Sequence, residues 1–89
     1  MPEVEQDIAA LVADRKSRYG DFNDHAEFTQ RIKQVIHASP NWLNMTFTQR
    51  EGLEMIAHKI GRILSGDPNY ADSWVDIEGY ARITRERLK

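Results

Sequence analysis

Glu51 and Glu54 stand three residues apart, and Asp72 and Asp76 stand four apart further along the chain. On helices, both spacings bring the two carboxylates of a pair onto neighbouring turns of one side. Carboxylates converging from facing helices are the way helical bundles hold hard cations, and magnesium takes one or two of them together with substrate phosphates. Glu51, Glu54, Asp72 and Asp76 are therefore the expected Mg²⁺ ligands, with Glu54 and Asp76 as the catalytic candidates. Each acid also has a plainer reading. Glu51 fits a capping box opened by Thr48, Asp72 fits an N-cap, and Ser73 with Asp76 fits a second box. By angular count Glu51 points away from the apolar stripe of its helix, so it meets a shared ion only by facing another helix or subunit.

Lys59 and Arg62 lie one turn apart, a point charge beside a planar fork, which suits phosphate oxygens. The alternative is a solvated edge or ion pairs to Asp72 and Asp76. Tyr80 continues the line of Asp72 and Asp76 and could stack on a base or rest at the edge of the core. Tyr19-Gly20-Asp21 marks a helix stop at the glycine. His25, His37 and His58 have no ligand spacing and read as surface or boundary residues. No nucleophile–histidine arrangement and no glycine-rich phosphate loop is present.

These side chains are expected on four helices, at about residues 2–18, 23–38, 48–64 and 73–88. Pro2 suits a first turn, and Ser39-Pro40 and Ser65-Gly66-Asp67-Pro68 end the second and third. The expected core stripes are Val4, Ile8, Leu11 and Val12; then Phe28, Ile32, Val35 and Ile36. Leu53, Ile56, Ala57, Ile60 and Leu64 follow, and last Trp74, Ile77, Ala81 and Leu88. Trp42, Leu43, Met45 and Phe47 form an apolar connection over one end. The last helix carries a second apolar line, Val75, Gly79 and Ile83, with a glycine that costs about 1 kcal/mol in a helix interior. A central place in the bundle, a contact between copies or a ligand over Gly79 would each account for it. The whole predicts one all-α domain over residues 1–89, a compact four-helix bundle assembling into a homo-oligomer.

Composition narrows the function classes. The chain has 89 residues, 12 Lys+Arg against 14 Asp+Glu, and a formal charge of −2. That balance argues against a nucleic-acid coat. With no cysteine there is no disulfide, thiolate metal site or cysteine nucleophile. The acidic start is unlike a signal peptide, and no apolar run approaches the ~20 residues of a membrane span. A cytoplasmic protein with no membrane partner is expected.

Tyr19-Gly20-Asp21, Lys59-x-x-Arg62 and Asp72-Ser73-Trp74-x-Asp76-x-x-Gly79-Tyr80-Ala81 together resemble a small family of tailed-phage and prophage proteins. The likeness runs from about Arg15 to Leu88. More distantly, the chain resembles the all-α nucleotide pyrophosphohydrolases of the MazG and dUTPase-like type. Those enzymes hold Mg²⁺ between a Glu-x-x-Glu pair and a Glu-x-x-Asp pair. Glu51 and Glu54 would stand for the first pair, and Asp72 or Ser73 with Asp76 for the second, which here is spaced by four or lacks its first carboxylate. The resemblance implies a nucleotide-handling oligomer. Lys59, Arg62 and Asp21 would lie on the phosphate side, with Tyr19, Trp74 or Tyr80 beside the base. Sequestration of a nucleotide signal, binding of a host protein in anti-defence, or a purely structural oligomer are the other expectations.

Overall fold

Four helices, α1 (Pro2–Tyr19), α2 (Phe22–Ala38), α3 (Phe47–Ser65) and α4 (Ala71–Arg85), make up the computed structural model. It describes residues 2–89, with side chains from residue 7 onward. A short 3-10 turn at Trp42–Asn44 links α2 to α3, and no strand occurs among the described residues. Val4 of the first expected stripe lies outside the described side chains.

Small residues make α3 the central helix. Ala57 is completely buried. A Cβ on Gly61 would strike Thr29 Oγ1 of α2 at 2.0 Å, and one on Gly52 would strike Thr84 Oγ1 of α4 at 2.2 Å. Missing side chains thus let α2 and α4 approach α3 from either side. α1 meets α2 and α3 only sparingly, and Ile8, Leu11 and Val12 remain more than half exposed. The radius of gyration is 15.6 Å, against about 12 Å for a compact chain of this length. All-helical packing is as expected; compactness is not.

Two helix starts differ from expectation. Thr46, not Thr48, caps α3: its hydroxyl accepts from Gln49 N at 3.1 Å, and Gln49 Oε1 accepts from Thr46 N at 2.9 Å. The segment contains two overlapping Thr-x-x-(Gln/Glu) frames, and the extended backbone falls at Thr46. Glu51 is accordingly free of the cap. At α4 the cap position is Tyr70, without a side-chain cap bond, and Ser73 is a buried packing residue, 3% exposed. The Asp67 carboxylate and carbonyl take the Asn69 and Tyr70 N–H groups, which sets that entry.

The inward face of α4 also differs. Ser73, Asp76, Ile77, Gly79, Tyr80 and Thr84 are its covered positions, whereas Trp74 and Ala81, and Leu88 beyond its end, are exposed. Gly52 admits Thr84, and Lys59 pairs with Asp76. Polar complementarity with α3 has chosen this face over the more apolar ones. Leu53, Leu64, Phe28 and Val35 are likewise more exposed than their stripes predict.

Candidate functional site

Gly20 fixes the geometry of the cleft. Its φ of +82° turns the chain sharply between α1 and α2, a conformation natural to glycine. The turn is pressed onto the end of α3: Ser65 Oγ donates to Tyr19 O at 2.6 Å, and Asp67 N donates to Arg18 O at 2.9 Å. Asp21 then caps α2 through Asn23 N. These bonds tie the C-terminal end of α1 to α3, and a cavity of about 610 Å³ lies between α1, α2 and α3. That is within the ~300–1,000 Å³ of small-molecule sites.

Val12, Arg15, Lys16 and Tyr19 line the cavity from α1, Phe22 and His25 from α2, and His58 and Arg62 from α3. The Arg62 guanidinium lies over the Tyr19 ring, 4.1 Å from its centroid, a stacking that holds both planes in place. Among the described residues Arg15, Lys16 and Arg62 form no ion pair. Asp21 is the one carboxylate on the wall among the described residues, and its Oδ2 already accepts the cap bond.

The two histidines form the floor. Their rings meet edge-on, with centroids 4.6 Å apart. His25 Nε2 lies 3.2 Å from His58 O. A carbonyl only accepts, so Nε2 carries the proton and neutral His25 keeps an acceptor at Nδ1. Burial pushes the His58 imidazolium down to about 4, helped by His25, Arg62, Lys59 and Lys33. His25 is lowered too, by burial first, with its bond to the His58 carbonyl opposing and Arg62 and Lys59 assisting. Both rings are therefore neutral near pH 7, and the cavity's positive charge comes from its arginines and lysine.

The expected site residues separate into distinct places. Tyr19, Asp21 and Arg62 meet in the cleft. Lys59 is turned toward α4, its Nζ 3.1 Å from Asp76 Oδ2. Asp72 accepts a bond from the Tyr70 hydroxyl at 2.9 Å, which pushes that phenol's ionisation up. Trp74 Nε1 donates to Pro68 O. Glu54 faces α2, 2.9 Å from His37 Nε2. Glu51 and Tyr80 line a shallower groove of about 360 Å³ between α3 and α4, with Phe47 and Ile83.

The acids do not fit a shared Mg²⁺ as they stand. Glu54 and Asp76 are held by partners on different helices, and among the described residues no three acidic or histidine side chains form a metal-binding group. Arg15, Lys16 and Phe22 were not singled out from sequence; His25 and His58, read there as surface or boundary residues, line the cleft, and His25 is buried rather than at the surface. The available signals were modest. Arg15 and Tyr19 are one turn apart, as are His58 and Arg62.

A family model described as a domain of unknown function (DUF6378) matches residues 4–88, nearly the whole chain. No curated protein and no solved structure matches it. Among the described residues no helix is long and apolar enough to cross a membrane.

Proposed function

The chain belongs to the DUF6378 family, and we propose that this member binds a nucleotide or nucleotide-derived small molecule in the cleft between α1, α2 and α3. The observation that carries the reading is the meeting of three cations, Arg15, Lys16 and Arg62, which form no ion pair among the described residues, with the Tyr19 and Phe22 rings around one cavity. Arg62 offers a planar fork to phosphate oxygens, and Arg15 and Lys16 add charge from the opposite wall. Phe22 is 76% exposed, an apolar face open to a base. Neutral His58 supplies one donor and one acceptor for a base edge or sugar hydroxyl.

Binding without turnover is the form of the proposal. Lys59 and His37 occupy the acids that hydrolysis would need for a metal, and the cleft's cations meet phosphates without an ion. A phage or prophage accessory protein of this kind would withhold a nucleotide signal from its receptor. The test is thermal shift and calorimetry with linear and cyclic nucleotides, with Mg²⁺ and with EDTA, alongside a pyrophosphate-release assay. Stabilisation that persists in EDTA, with no product, is expected, because a ligand of the native state raises its stability. Indifference to every nucleotide would end the reading, and Mg²⁺-dependent release of pyrophosphate would replace it with hydrolysis.

A further inference from the structure

We propose that Tyr70, which stands outside the cleft, is a positioning residue for it: the Tyr70 ring steadies Tyr19, and Tyr19 carries the Arg62 guanidinium. The inference rests on the ligand reading above and adds how the cleft aims its cation. Tyr70 occupies the cap position of α4 and is not part of the cavity wall. Its ring meets the Tyr19 ring at 64°, with centroids 5.8 Å apart, an edge-on arrangement that sets the positive rim of one ring against the negative face of the other. Arg62 lies over Tyr19, 4.1 Å from its centroid, and Arg18 lies over Tyr70 at 5.2 Å. The four groups make one row of cation, ring, ring and cation, running from the cleft to the start of α4. Its outer end is fixed, since the Tyr70 hydroxyl donates to Asp72 Oδ2 at 2.9 Å and Asp67 N donates to Arg18 O. Asp72, an expected metal ligand, here anchors that row.

Other arginines of the chain show what is particular about Arg62. Arg18, Arg31 and Arg82 are paired with Asp14, Glu27 and Glu86, each one turn away. Arg50 also lies over rings, those of Trp42 and Phe47, but it donates to the Trp42 and Leu43 carbonyls. Arg62 forms no ion pair among the described residues and rests on Tyr19. A carboxylate in that place would neutralise the guanidinium and fill its fork. A ring holds the plane and leaves the N–H donors to a ligand. Such a hold is only as firm as the ring beneath it. Tyr19 is the last residue of α1, a helix that packs sparingly against its neighbours. The backbone bonds at Ser65 and Asp67 fix where Tyr19 starts, not where its ring points. The Tyr70 ring supplies that second constraint.

Protons held over a ring face are shielded, so NMR of the ligand-free full chain reads the placing of Arg62 directly. Its side-chain resonances are expected upfield of the ordinary arginine range, a displacement that Tyr19→Leu abolishes. Tyr70→Leu and Tyr70→Gln remove the supporting ring at a half-buried position. Each is expected to lose most of that displacement and to raise the Kd for ATP in EDTA about 3–10-fold. Tyr70→Phe and Asp72→Ala remove only the hydroxyl bond and are expected to stay close to wild type in both readings. Melting temperatures confirm that each variant is folded at the assay temperature. Arg62 resonances unmoved in both ring-less variants would overturn the proposal, and so would a Tyr70→Phe protein as impaired as Tyr70→Leu. If the wild type binds no nucleotide, the ligand reading fails, while the ligand-free spectra still decide whether Tyr70 places Arg62.

Discussion

Gly20→Ala tests how the cleft is held open. The substitution imposes two penalties that are legible in the geometry. A left-handed φ of +82° costs an L-residue roughly 1–2 kcal/mol. The new Cβ would also lie 1.8 Å from Ser65 O, a backbone atom that cannot rotate away. Overpacking of this kind costs about 1–3 kcal/mol. Together they remove about 2–5 kcal/mol from a domain whose whole stability is about 4–13 kcal/mol, equivalent to a fall in Tm of about 10–30 °C. Ser65→Ala, which deletes only the bond to Tyr19 O, is expected to cost about 0.5–1.5 kcal/mol. Thermal unfolding followed by far-UV circular dichroism reads both, and amide exchange reads where the loss falls, with α1 and the Gly20 turn opening first. A Gly20→Ala protein melting within about 4 °C of wild type would refute the idea that this turn is locked against α3.

Three other expectations concern the interior. Thr29 Oγ1 is buried and has no hydrogen-bond partner among the described residues, so Thr29→Val keeps the shape and raises stability by about 1 kcal/mol in chemical denaturation. Asp76→Asn leaves the Lys59 ammonium, whose side chain is 10% exposed, without its counter-ion. That change is expected to lower stability by about 1–3 kcal/mol with nucleotide affinity unchanged, whereas lost affinity at constant stability would mark Asp76 as a ligand-site residue. Folding holds His58 and His25 below their ordinary 6.5, His58 at about 4. The unfolded chain therefore binds more protons in that window, and stability is full above about pH 6.5 and declines toward pH 4. A melting profile across this range should flatten in His58→Gln.

The number of helices and their breaks were readable because proline, glycine and capping chemistry act locally. Pro40 and Gly66-Asp67-Pro68 end helices whatever surrounds them. The cap of α3 was ambiguous for a local reason, the two overlapping threonine frames. The face of α4 could not be read from hydrophobicity, because Thr84 against Gly52 and Asp76 against Lys59 are decided by what α3 presents. The same holds for the cleft. Tyr19, Asp21 and Arg62 stood out by type, but Arg15, Lys16, Phe22, His25 and His58 join them only through the turn at Gly20 that sets α1 against α2 and α3. Glu54 and Asp76, each from a plausibly spaced acidic pair, are held by separate partners, His37 on α2 and Lys59 on α3.

The central claim is that phosphate and base meet in the α1–α2–α3 cleft. A two-dimensional ¹H–¹⁵N NMR titration with a nucleoside triphosphate in EDTA addresses it directly. Shifts should concentrate at Arg15, Tyr19, Phe22, His58 and Arg62, and they should vanish in Arg62→Met. Unperturbed cleft amides, or shifts gathered instead around Asp72 and Asp76, would contradict the account.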